Sequence, residues 1–454
     1  MGEGGRIARA AKACEACAAN AIRMIEHSTR WLGGFAAAYL VLLPTNAAVA
    51  PRSIAFGGLL LMLLVLGIAT LRARVRGNAP SGPELALPAP PPVISATFAA
   101  WALWSAASWF WSARPDYSAE EIRREILDAA LVAMAFFFAA RDAFAIRALI
   151  GLALASFAVL AALALGQAAG HGWEAGRWHH GAGVWSTWVV LIAPFVLLPI
   201  APAPLGVGRR AVAFPLLAAL VALMLLSARL SDNRMVWLAL GTVFATAALL
   251  AAVRWRSAYG QSPLRWAAAL VALMIAFSLL FVDAAREKAA VYYPPHTTVE
   301  DTLKHDPRIA LWEYTAGRIR ERPWTGHGFG RTIVAPEMRA ALHDPLLTHA
   351  HNVFVSQWLQ TGAIGSALFV ALLASLAWRY AALLRVRDDA LAFAGLVGLA
   401  LLAGFVVKNL TDDFLFRSNA KEFFALNAVL LGFGAWRTRE RAAAAGAETG
   451  VGTR

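Results

Sequence analysis

The feature that most constrains this chain is its succession of long apolar runs. Twelve segments each approach the roughly 20 mostly apolar residues that a helix needs to cross a hydrocarbon core. They lie at 31–50, 53–71, 93–112, 122–140, 147–167, 182–201, 211–228, 234–253, 264–283, 352–378, 390–408 and 419–436. A chain in lipid must satisfy its backbone hydrogen bonds internally, and runs this long suit helices rather than the short alternating strands of a barrel. Composition agrees: 59% of residues are apolar, 15% are charged, and the mean hydropathy is +0.58. Those values exclude a disordered chain, a fibrous one and an ordinary soluble enzyme. The expected fold class is all-α, a polytopic bundle of about 12 transmembrane helices.

Charge sets the orientation. With a cytoplasmic N-terminus, inside segments hold 22 Lys and Arg, and short outside segments hold 10. The remaining nine lie in 284–350, a 67-residue loop long enough to be left out of the positive-inside comparison. Both termini are therefore expected in the cytoplasm, with the long loop external. The organisation that follows is a basic amphipathic segment at 1–30, helices one to nine over 31–283, the loop at 284–350, helices ten to twelve over 351–436, and a tail at 437–454. The loop is expected to contain helices, the Pro-rich stretch 79–92 to be an extended linker, and the tail after about 440 to be disordered. The net charge of +13 suits basic residues flanking spans and facing anionic lipid better than nucleic acid. Cys14 and Cys17 form one isolated CxxC, too little for a disulfide framework or a metal set.

Polar groups cluster on the external side. Arg234 opens the eighth span, at a helix N-terminus where the dipole favours an anion, so a cation there is unfavourable unless an anion joins it; lipid headgroups are the simpler partner. Asp306-Pro307 reads as a helix start, which puts Arg308 at another N-terminus. Gly326-His327-Gly328-Phe329-Gly330 is a turn without the lysine and strand context of a nucleotide loop, so ATP is rejected. His349-Ala350-His351-Asn352 precedes the tenth span; no nearby Cys or Glu completes a zinc set, and two interfacial histidines that merely pack would look the same. Asp412 and Asp413 sit in the last external loop, where they fit a cation, a sugar or an arginine, or simply solvent. Two arginines can hold a diphosphate through forked, charge-assisted hydrogen bonds. A neutral imidazole can take a proton from a hydroxyl. Together these residue types suit a reaction between a lipid diphosphate and an alcohol at an interface.

The ordered set also resembles a known family. His351-Asn352, nine residues, then Gly362-Ala363-Ile364-Gly365 resembles the H[NSQ]-x9-G-x2-G signature of O-antigen ligases. Arg234 to Leu238 resembles their R-x3-L element. Pro307-Arg308 to Trp312, followed by Pro323 to Gly328, resembles their large periplasmic loop. The resemblance covers about 230–420; the first 200 residues match in hydropathy alone.

The resemblance implies a GT-C-type glycosyltransferase with a large helical periplasmic loop between helices nine and ten. Such an enzyme transfers O-antigen polysaccharide from undecaprenyl diphosphate to a lipid A-core hydroxyl, on the periplasmic face of the bacterial inner membrane, without metal, cofactor or ATP. Carried over by position, His351 is the base, Arg234 and Arg308 bind the diphosphate, and Asn352 lies in the substrate site; the Asp412-Asp413 pair falls where the family has one acidic residue, and either aspartate could be the match. The same resemblance admits an O-antigen polymerase, with a growing glycan as acceptor, or a protein O-oligosaccharyltransferase. The basic loop from Arg286 to Arg339 leans toward a phosphorylated acceptor. A transporter expects charges near mid-membrane and internal repeats, which the sequence does not offer.

Overall fold

The computed structural model describes residues 3–75, 87–171, 181–231, 233–255, 263–292, 308–345 and 347–450. Within them every regular element is helical. The helices are α1 (Glu3–Leu42), α2 (Val49–Val75), α3 (Pro92–Ala107), α4 (Pro115–Glu121), α5 (Asp128–Ala139), α6 (Ala143–His171), α7 (Ala182–Ile192), α8 (Arg210–Leu230) and α9 (Met235–Arg254). They continue with α10 (Pro263–Tyr292), α11 (Arg308–Glu321), α12 (Ala335–Leu342), α13 (Val353–Leu384), α14 (Asp389–Lys408) and α15 (Arg417–Gly450). A π-helical segment, Ile122–Leu127, joins α4 to α5, and a 3-10 segment, Ala193–Ile200, extends α7.

Among the described residues nine helices are long and apolar enough to cross a membrane, including α2, α6, α8, α9, α13 and α14. The chain is a polytopic helical membrane bundle. The expected spans at 31–50, 122–140 and 419–436 fall outside those nine. The first stops at Leu42 because Pro44 and Asn46 turn the chain before α2. The second carries Arg123, Arg124, Glu125 and Asp128 in its first two turns. The third is the start of α15, which is buried almost continuously from Ser418 to Gly434 and faces protein rather than lipid.

α15 packs along α5, α14 lies between α9 and α13, and α3 runs against α13. Their apolar faces form one continuous core, centred on side chains such as Trp101, Trp185, Phe369, Phe405 and Phe423. The N-terminal segment is continuous with the first apolar run, since α1 extends unbroken from Glu3 to Leu42. The tail also stays helical to Gly450, as its alanine-rich sequence favours. The long loop contains α11 and α12, which close a small separate core around Leu311, Ile333, Val334, Met338 and Leu359. The Asp306-Pro307 start, the linker residues 76–86 and the side chains of Cys14 and Cys17 lie outside the described residues.

Candidate active site

The site is built around the start of α13. Asn352 caps that helix: its Oδ1 accepts hydrogen bonds from the backbone N–H groups of Phe354 (2.9 Å) and Val355 (3.1 Å). Its Nδ2 donates to the Leu410 carbonyl at 2.8 Å, and the Val353 N–H donates to the Asn409 carbonyl at 3.0 Å. Trp312 of α11 donates from its indole to the Ala350 carbonyl at 2.8 Å. The segment 350–353 is thus clasped between the long loop and the loop after α14. Held this way, His351 takes a left-handed conformation with φ of 49°. A non-glycine residue there costs on the order of 1–3 kcal/mol, a strain that concentrates at functional sites.

The His351 ring lies against His349, with centroids 3.9 Å apart and the planes tilted by 36°. His349 is buried. Its Nε2 faces a guanidinium nitrogen of Arg331, and its Nδ1 lies 3.0 Å from Thr348 Oγ1. A guanidinium has donors only, so Nε2 must accept and Nδ1–H must donate to the threonine. Burial first, then the charges of Arg331, His351 and Arg308, push the His349 imidazole far below its ordinary range. His349 is locked as one neutral tautomer.

Arg331 owes its position to the glycine-rich turn before it. α13 breaks at Gly362, with φ 70° and ψ −175°. The break frees the Leu359 and Gln360 carbonyls to accept from the backbone N–H groups of His327 and Gly328, each at 2.9 Å. In return the Ala363 N–H donates to the Pro323 carbonyl at 2.8 Å. A Cβ on Gly362 would come within 2.1 Å of the Trp324 backbone. The turn is a docking loop, and Gly362 of the signature is where it docks. Gln360 continues the connection: its Oε1 accepts from the Gly330 N–H at 2.8 Å, and its Nε2 donates to Ser356 Oγ at 2.9 Å. Ser356 donates in turn to Asp413.

The two aspartates do different things. Asp412 is a buried node: Oδ2 accepts from Lys408 and from Asn233 Nδ2 (3.3 Å), and Oδ1 lies 3.9 Å from Arg308. Burial alone would raise its pKa; Lys408, Arg308 and Asn233 outweigh that and hold the carboxyl below its usual range. Asp413 is equally buried and lies 3.7 Å from Arg331 Nε. Burial dominates there and raises its pKa against the pull of Arg331.

Of the residues singled out from sequence, Arg308, Asp412, Asp413, Asn352 and His351 come together around the 408–414 loop. Arg234 joins through its neighbour, since Asn233 donates to Asp412. Its own side chain is half-buried at the start of α9. Sequence reasoning missed Lys408, Arg331 and the role of His349. A lysine ending an apolar helix is normally a snorkelling residue, and only the buried Asp412 four residues later marks it otherwise. The signal for Arg331 was its place directly after three closely spaced glycines. Among the described residues no group of three or more His, Cys, Asp or Glu is arranged to hold a metal ion.

Residues 219–370, running from α8 through the break in α13, match the family model described as O-antigen ligase. This third of the chain is similar to the O-antigen ligase family. Members are membrane glycosyltransferase-like enzymes. The matched region holds Arg234, Arg308, Arg331, His349 and His351; Lys408 and the aspartates lie beyond it. No curated protein matches the chain.

Proposed function

We propose that this protein moves an O-antigen polysaccharide from undecaprenyl diphosphate to a lipid A-core sugar hydroxyl, at the periplasmic face of the inner membrane, with both termini cytoplasmic. The observation that carries the reading is the Asp412 node. Arg308 and Asn233 both reach it, and its loop clasps the start of α13 through Asn352; Arg234 and His351 are the sequence neighbours of Asn233 and Asn352, which supports a shared site.

The chemistry follows from that convergence. A glycosyl lipid diphosphate is already activated. As the bond from the anomeric carbon to the phosphate oxygen breaks, negative charge grows on that oxygen. The guanidiniums of Arg234 and Arg308 stabilise it, as preorganised donors do in other group transfers. The acceptor hydroxyl attacks the anomeric carbon from the opposite face and gives its proton to His351, so the configuration inverts and undecaprenyl diphosphate leaves. His349 cannot be the base, because Arg331 and Thr348 occupy its two ring nitrogens. It buttresses the His351 ring instead. Asn352 acts as a cap that fixes the imidazole, and no metal is required.

The test is reconstitution in detergent with both lipid substrates and EDTA. Transfer should persist; loss on chelation would reject the metal-free route. His351→Ala should lower turnover by at least about a hundredfold, the scale of a lost general base, with donor binding kept. Arg234→Ala and Arg308→Ala should weaken donor binding, and normal donor affinity in both would refute their role. Offering lipid A-core, a free glycan and a peptide in competition separates ligase from polymerase and from protein oligosaccharyltransferase.

A further inference from the structure

A cavity of about 690 Å³ is lined in part by Arg331, whose guanidinium also meets His349. Its cationic lining comes from four separate parts of the chain: Arg52 of α2, Arg123 and Arg124 of the π-helical segment, Arg331, and Arg417 and Lys421 of α15. Among the described residues the lining carboxylates are Glu125 and Asp128, while Glu120 and Glu121 pair with Arg124 and Arg417 from outside the cavity. Both lining carboxylates are engaged: Asp128 takes Lys421 at 3.2 Å, and Glu125 accepts the Arg417 backbone N–H at 2.8 Å.

Four features of this lining favour an anion beside the protein carboxylates already paired there. Arg417 is held at φ 54°, a left-handed conformation in a residue that gains nothing from it sterically. That backbone lays its guanidinium over the Phe416 ring, 4.8 Å from the centroid, with 55% of the side chain exposed. Arg417 and Lys421 also occupy the first turns of α15, where the helix dipole opposes a cation and favours an anion. Arg123 and Arg124 ride on a π-helical turn, a rare geometry that recurs at functional sites. Finally, Arg331 Nε is buried and makes no hydrogen bond among the described residues, although the Asp413 carboxylate lies 3.7 Å away. An arginine-rich cavity of this kind recognises phosphate through forked hydrogen bonds.

We propose that this cavity is the recognition site for phosphate groups on the acceptor glycolipid, separate from the Arg234 and Arg308 site for the donor. The proposal rests on the ligase reading, because it supplies that reaction's acceptor. Arg331 then touches both compartments: its guanidinium borders the cavity and meets His349 and Asp413. A phosphate seated there would bring a sugar hydroxyl of the same glycolipid toward His351. Arg417, Arg123 and Lys421 are specificity-determining residues in this scheme and take no part in bond breaking.

The experiment measures binding without turnover. Wild-type protein in nanodiscs is titrated with lipid A-core and with the same lipid after phosphatase treatment, with no donor present. The phosphorylated lipid should bind at least about tenfold more tightly, the scale of one charge-assisted hydrogen bond. Arg123→Gln combined with Arg417→Gln should abolish that preference and leave affinity for the undecaprenyl diphosphate donor unchanged. Arg123→Gln alone, at an exposed position, should give a partial loss and guards against misfolding of the double variant. Equal binding of the two lipids by wild type overturns the proposal, as does a double variant that loses donor affinity instead. Wild type that prefers the phosphorylated lipid but transfers no glycan to it would sink the ligase reading while leaving the site intact.

Discussion

At the scale of single residues, the site depends on buried charges that hold one another in place. Asp412 and Lys408 are the clearest pair: both are buried, and the lysine is fully enclosed. Removing one partner strands the other. Asp412→Ala should therefore cost about 3–5 kcal/mol, seen as a large drop in thermal unfolding temperature in detergent. Replacing both with apolar residues of similar size should recover stability but not transfer. His349 gives a pH signature. Its folded-state pKa is depressed, while the unfolded chain titrates near 6.5. Below about pH 6.5 the unfolded state binds a proton that the folded state refuses, so stability falls as pH drops, by up to about 1.4 kcal/mol per pH unit. His349→Gln should flatten the acid limb of a plot of unfolding temperature against pH; an unchanged slope would contradict the tautomer assignment. His351 and Arg308 were legible in the sequence because each sits at a helix start among apolar runs. Arg331 was not, because its partners His349 and Asp413 are distant in sequence; Lys408 was not, because sequence does not show that Asp412, four residues on, is buried.

At the scale of elements, the helices themselves were readable from apolar runs, and their endings were set by local chemistry. Pro44 and Asn46 cut the first span short, while the alanine-rich tail prolonged α15. The π-helical segment left no signature in hydropathy, since the extra residue in its turn changes hydrogen bonding without changing composition. The role of the glycine-rich turn was hidden for a similar reason. Spacing marks a turn, but not that its N–H groups pair with carbonyls freed by a break in α13. Gly362→Ala should strain the left-handed backbone and drive a Cβ into Trp324. Hydrogen exchange should then rise at His327 and Gly328, with transfer falling at least about tenfold as the loop and Arg331 lose their seat. Gly317, which faces open space in mid-helix, is the control: Gly317→Ala should leave both unchanged or slightly raise stability.

At the scale of the whole molecule, the bundle core takes side chains from α1, α3, α5, α6, α7, α9, α13, α14 and α15 among others, and the helices of the long loop close a second, smaller core. If the proposed orientation holds, a single cysteine at Trp324 or Leu410, in a background with Cys14 and Cys17 replaced, should label from the outside of intact cells. One at Arg439 should label only after the membrane is opened. The hydrogen bonds at Gly362 have a mechanical corollary. The loop is stitched to α13 eleven residues beyond His351, about 16 Å along the helix axis. A pull on residues 323–330 is therefore transmitted to the same shaft that follows the imidazole, so the long loop and the buried helix act as one lever.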